Sequence, residues 1–137
     1  MSFVELQFIE AEASGNVGDL QDAVRASMEL TGVTDMAAID AYVGGITSAS
    51  KEDVMTEAYK AYFGFNFHET WSNWRRTGFP ALSPSAGCGD NGFNPSCAIP
   101  ARYIYAESER QTNSDNVQAA SDSQGGDLLD VKLWAFK

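Results

Sequence analysis

The sequence of 137 residues holds one histidine, His68, followed directly by Glu69. Neighbours on a helix point away from each other, so the two make a poor acid–base dyad. No serine, threonine or cysteine carries the sequence signature of a nucleophile with its base, no carboxylate pair sits in an apolar setting, and no glycine loop is built to cradle a phosphate. No catalytic residue is therefore assigned, the chain is expected not to be an enzyme, and no cofactor is expected. Asp90, Asp115, Asp122, Asp127 and Asp130 can supply oxygens to calcium, but their spacing is not that of a calcium loop. They read as solvated loop carboxylates, and no metal site is expected. The remaining chemistry is recognition. Trp71, Trp74, Tyr103, Tyr105 and Trp134 can stack on the C–H faces of sugar rings, with nearby polar groups reaching the hydroxyls. Each ring can equally pack in an interior, and an Arg beside a Trp can be a structural cation–π contact. Tyr103 and Tyr105 are the candidates kept for a ligand.

Charge narrows the partners. Nine Lys and Arg against nineteen Asp and Glu give a net charge of -10. Such a chain repels nucleic-acid phosphates and anionic headgroups, so direct nucleic-acid binding is not expected. No apolar run reaches the roughly 18 residues of a spanning helix, and the start lacks the pattern of a signal peptide. Cys88 and Cys97, separated by eight residues in a stretch rich in Gly, Pro and Asn, are expected to form a disulfide. It would contribute on the order of 2–3 kcal/mol and mark an oxidising compartment. Free thiols are the other reading; zinc is not, since two Cys and a distant His do not make four ligands.

The elements that must position these residues are mostly helical. Ser2 and Glu5 form a capping box for a helix over Phe3 to Ala13, whose apolar residues Phe3, Val4, Leu6, Phe8 and Ile9 cover more than one face and predict burial between other elements. Asp19 is the expected cap of a second helix carrying Leu20, Ala23, Val24 and Met28, ended by Gly32. This hairpin resembles one unit of a tetratricopeptide-type array. Thr34 is the expected cap of a short helix through Tyr42, and Ser50 with Asp53 begins a fourth with the stripe Val54, Ala58, Ala61, Tyr62. Tyr59, Tyr62 and Phe63 are read as core or interface rings. Asn66 begins a fifth helix that Gly78 and Pro80 stop, with Trp71 and Trp74 on one face and Arg75 and Arg76 near its C-terminus. Beyond it, Ser83 to Pro95 and Asn113 to Gly126 are poor in large apolar residues and read as loops, with one or two helical turns allowed from Asn113 to Ala120. Ile99 to Tyr105 is expected as a short strand or extended crossing, and Val131 to Phe136 as a segment that returns to pack on the body.

Taken in order, four segments resemble the C-terminal region of the SusD/RagB family, in particular its SusD-like branch. They are F-V-E-L-Q-F-I-E-A-E-A from Phe3; E-T-W-S-N-W-R-R-T-G-F-P from Glu69; I-P-A-R-Y-I-Y-A-E-S-E from Ile99, with Asn113 and Asn116-Val117; and Gly125-Gly126-Asp127 with Lys132-Leu133-Trp134. Ala101, Ala106 and Ala135 depart from the family pattern, where Arg, Pro and Trp are common. The resemblance implies a mainly α fold: helical hairpins of tetratricopeptide type, long irregular loops and a few short extended segments. Residues 1–137 would be a single C-terminal region, helical over 1–80 and loop-rich over 81–137, of a longer protein anchored by lipid on an N-terminal part. It further implies a nutrient-binding component, in first place for an oligosaccharide, of a TonB-dependent uptake complex at the outer-membrane surface of Bacteroidetes-type bacteria. Trp71, Trp74, Arg75, Arg76, Gly78 and Pro80 match a structural signature rather than a ligand site. The alternative, from a different class, is a helical protein–protein interaction module without a small-molecule ligand.

Overall fold

The computed structural model describes residues 2–84 and 92–136, in two compact units, Met1–Ala81 and Leu82–Lys137. The first unit holds five helices: α1 Phe3–Ser14, α2 Val17–Leu30, α3 Met36–Gly44, α4 Lys51–Tyr62 and α5 Phe67–Thr77. Two of their starts are reciprocal capping boxes. The Ser2 hydroxyl accepts from the Glu5 N–H at 3.2 Å while the Ser2 N–H donates to the Glu5 carboxylate, and Ser50 with Asp53 repeats the arrangement at α4. Hydrogen bonds from the hydroxyls of Ser48 and Ser50 hold the Asp53 carboxyl below its ordinary range. Two other caps differ from expectation. Asn16, not Asp19, caps α2, accepting from the Gly18 N–H at 2.7 Å, and Asp19 instead accepts from the Ser14 hydroxyl. Asp35, not Thr34, caps α3, with one carboxylate oxygen accepting from Ala37 and Ala38. At α3 the carboxylate is a stronger acceptor than the neighbouring hydroxyl; at α2 Asn16 holds the position preceding the first turn while Asp19 lies within it.

The core of this unit follows from helical periodicity. Val4, Phe8 and Ala11 of α1 are buried with Leu20, Ala23 and Val24 of α2, Ile39 and Val43 of α3, and Val54, Met55, Ala58, Ala61 and Tyr62 of α4. Burying a side chain such as Leu20 or Ile39 contributes about 2 kcal/mol. Tyr62 is buried as expected and meets Phe8 edge to face at 5.6 Å, whereas Phe63 is exposed. The other faces of α1 differ from expectation: Phe3, Leu6 and Ile9 are 68%, 52% and 50% exposed. Helices α2 and α4 pack on one side of α1 and leave its outer stripe uncovered.

α5 is joined to α1 by charge. The Arg76 guanidinium donates two parallel hydrogen bonds to the Glu12 carboxylate, at 2.6 and 2.7 Å, and a third to Asn73 at 3.1 Å. The hydrogen bond from Arg76 holds the Glu12 carboxyl below its ordinary value of 4.5.

The second unit contains more helix than its composition suggested. α6 Glu107–Thr112 and α7 Ser114–Gln124 meet at Asn113, so the stretch read as loop with one or two turns is a helix of 11 residues. The Ile99 to Tyr105 segment forms no strand among the described residues. Pro100 has no N–H to donate, and the next two N–H groups, of Ala101 and Arg102, converge on one carbonyl, Leu129, at 2.7 and 3.3 Å. A ladder cannot propagate from a shared acceptor. At the end of the chain Trp134 starts a single 3₁₀ turn and is 86% exposed, so this ring does not pack back as expected.

What organises this unit is Asp127. Its carboxylate accepts from the Tyr105 N–H at 3.0 Å and from Arg110 at 2.6 Å, and it pairs with Arg102 at 3.5 Å. Arg102 is buried and also donates to the Tyr103 carbonyl and the Gln124 side chain. The expected solvated loop carboxylate is thus an internal one, 12% exposed. Gly126 precedes it with φ 120°, a backbone that a side chain rarely adopts.

Two outcomes are expected. Asp127→Asn, which leaves Arg102 and Arg110 short of their counter-charge, lowers stability in urea denaturation by about 3 kcal/mol, and Asp115→Asn by less than about 0.5 kcal/mol. Glu12→Gln costs about 0.5 kcal/mol at pH 7. Because folding depresses the Glu12 pKa, its contribution is present above the unfolded value and is lost as pH falls through the lower folded one. Denaturation midpoints of Glu12→Gln and the parent therefore converge when the pH is taken from 7 to 3.

Candidate functional site

The family-like segment of α5 is built around its two arginines. The Arg75 guanidinium lies over the Trp71 ring at 4.4 Å, while Arg76 turns the other way to Glu12 of α1. Gly78 ends the helix with φ 79°, a left-handed turn that suits glycine, and its N–H donates to the Trp74 carbonyl at 2.8 Å. The Thr77 hydroxyl then donates to the Asn73 carbonyl at 2.7 Å and accepts from the Phe79 N–H at 3.2 Å. The Phe79–Pro80 peptide bond is cis. Trp71 and Trp74 are both partly buried. The segment thus places its polar and aromatic groups against its own helix, its exit turn and α1.

Beside it lies a groove of about 430 Å³. Each of three helices gives it one face. α1 contributes Glu5, Phe8, Ile9 and Glu12; α4 contributes Met55, Ala58 and Tyr62; α5 contributes Glu69, Asn73 and Arg76. Phe8, Met55, Ala58 and Tyr62 are buried and make an apolar floor, and the charged residues stand at the rim. Burial pushes the Tyr62 phenol up out of its ordinary range, with the Glu5 and Glu69 carboxylates adding to the shift. Sequence reading missed this groove. Its signal was present in the seven-residue steps Glu5 to Glu12, Met55 to Tyr62 and Glu69 to Arg76, but only the packing shows that the three stripes converge.

The rings kept for a ligand fall differently. Tyr103 is 68% exposed, whereas Tyr105 is partly buried, with its hydroxyl accepting from Gln124 at 3.1 Å and the Arg102 guanidinium 5.3 Å from its ring centre. Tyr103, Tyr105 and Trp134 belong to the second unit, and Trp71 and Trp74 to the first. A smaller hollow of about 300 Å³ in the second unit is lined by Phe93, Arg110, Ser114, Gln118 and Asp127 among others. His68 packs its ring on Phe67 at 4.0 Å. Among the described residues no three His, Cys, Asp or Glu side chains are grouped to hold a metal. Asp130 accepts from the Ser96 N–H, and Asp122 from Gln118. Cys88 and Asp90 lie outside the described residues. Cys97 has a left-handed backbone, φ 56°, and its N–H donates to the Asn94 carbonyl.

Comparison with known proteins agrees with this architecture. Residues 19–135 match the model of the SusD-like family, described as Susd and RagB outer membrane lipoprotein. The fold is similar to the crystal structure of a SusD homolog from Bacteroides fragilis NCTC 9343, with a TM-score of 0.73 and 26% identity. The likeness covers 100% of this chain and 35% of that one, so the chain spans about a third of the relative's length. No curated protein sequence matches. The mainly α fold, the helical hairpins and the family match over most of the chain lead to one assignment: the chain belongs to the SusD-like family of outer-membrane lipoproteins.

Proposed function

We propose that residues 1–137 form the C-terminal region of a longer, lipid-anchored protein that binds a nutrient, in first place an oligosaccharide, and passes it to a TonB-dependent outer-membrane transporter without catalysing a reaction. The observation that carries this reading is the match to the SusD-like family over residues 19–135, supported by the fold likeness to a SusD homolog along the whole chain. The chemistry of the described residues is consistent with it. An acidic chain of net charge -10 favours neutral or cationic ligands over polyanions. Among the described residues no helix is long and apolar enough to cross a membrane, and in this reading attachment falls to a lipid on the N-terminal part. Disulfide pairing of Cys88 with Cys97 belongs to the same proposal, since a cell-surface protein meets oxidising conditions.

Of the ring candidates, Tyr103 offers the more exposed face, and Tyr105 is engaged by Gln124 and Arg102. Stacking of one ring on a sugar contributes about 1 kcal/mol, close to a tenfold change in affinity.

Calorimetry of the full-length protein against a panel of neutral oligosaccharides should show binding that added salt leaves unchanged. Tyr103→Ala should weaken it about tenfold. Heat released only on mixing with another protein, and with none of the glycans, would instead establish the helical interaction module.

A further inference from the structure

α1 is apolar on two opposite sides, and only one of them is buried. At about 3.6 residues per turn, Val4, Phe8 and Ala11 share a side, and these are the residues that pack into the core with α2 and α4. Phe3, Leu6, Ile9 and Ala13 share the opposite side, and all four are exposed. A helix at a protein surface carries one apolar stripe and a polar back, whereas a helix apolar on both sides belongs between two layers. The turn between α4 and α5 adds to the exposed apolar surface. Phe63, Phe65 and Phe67 alternate along it and are all exposed, and Asn66 between them donates to Glu5, which ties this turn to the start of α1.

The stacking of the two hairpins indicates what lies against that outer side. α4 pairs with α5 as α1 pairs with α2, and α4 packs on both α1 and α2. The second hairpin is thus laid against the first, as in an array whose units bury a face only by stacking on their neighbours. α1 has a neighbour on one side, and its other side is where an earlier unit of the array would stack. Chain length leaves room for such a unit, since about two-thirds of the SusD homolog lies outside the region this chain matches. Two other occupants fit less well. An anionic membrane surface would meet Glu10, which stands within the exposed stripe, on a region of net charge -10, and a second copy would bring the same charge and a second Glu10.

We infer that the outer side of α1 is an internal interface of the longer protein, covered by a helix of the hairpin that precedes α1, whose apolar stripe seats on Leu6 and Ile9. This rests on the reading of residues 1–137 as one region of a longer chain. Glu10 within the stripe calls for a Lys, an Arg or another hydrogen-bond donor on the covering helix, because a carboxylate shut away from water is costly without one.

The test uses the full-length protein. Ile9→Cys is treated with a thiol reagent in native buffer and in urea, and labelling is read by peptide mass spectrometry, which separates position 9 from Cys88 and Cys97. The thiol should react about a hundredfold or more slowly in native buffer, where only opening of the interface exposes it. A benzoylphenylalanine placed at Leu6 should, on irradiation, cross-link within one chain to a peptide that precedes this region. Circular dichroism checks that both variants keep the helical signal; Ile9→Cys, with its smaller side chain, carries the test should the bulkier group unfold the protein. An Ile9→Cys thiol that reacts as fast in native buffer as in urea would overturn the proposal. So would a cross-link to a peptide of residues 82–137, to a second copy, seen as a doubled mass, or to a different protein. A mature protein found by mass spectrometry to hold no more than these 137 residues would overturn the longer-chain reading and this interface with it. A longer protein whose Ile9→Cys thiol stays open to reagent would overturn the interface alone.

Discussion

The closeness of α1 to α2 is the constraint on which the first unit depends. Ala11 and Ala23 are both wholly buried in this hairpin, and a larger side chain at either would have to push the helices apart. Their approach seats Phe8 and Leu20 in one core, and α4 closes that core with Val54, Ala58 and Tyr62. α5 adds no buried residue of its own and is held through its charges and its exit turn. The groove exists because the helix that completes it is held at its rim rather than sunk into the core.

The second unit is organised by another kind of interaction. Its buried residues among those described are Ala101, Asn94, Arg102 and Ser121, so one apolar side chain keeps company with three polar ones. In such an interior the order comes from satisfied hydrogen bonds, and an internal carboxylate shared by two guanidinium groups specifies one arrangement of the chain. The family-like Gly125-Gly126-Asp127 acquires a physical reason here: the glycines allow the turn that brings the carboxylate to Arg102, Arg110 and the Tyr105 N–H.

Legibility in the sequence followed the range of the interactions. Capping boxes at Ser2 and Ser50, the α4 stripe and the stop at Gly78 were readable because donor and acceptor lie within a few residues. The caps at Asn16 and Asp35 were misplaced by up to three residues because neighbouring acceptors compete for the same N–H groups. α7 was hidden because it lacks an apolar stripe, with only one residue, Ser121, buried. The bonds of Asp127 to Arg102 and Arg110 span 25 and 17 residues, and nothing local announces them. The family was legible from short motifs, and two of them carry the α1 and α5 walls of the groove, but nothing in either motif announces that α4 brings Met55, Ala58 and Tyr62 between them.

The polar interior of the second unit bears on temperature. Exposing apolar surface raises the heat capacity of unfolding, and exposing polar surface lowers it. A unit whose order rests on Asp127 and its partners has a flatter stability curve than one resting on Phe8, Leu20 and Ile39. Cooling weakens apolar association while leaving charge pairing in place. On cooling, then, the apolar core of the helical hairpins loses more of its stabilisation than the segment gathered round its shared carboxylate.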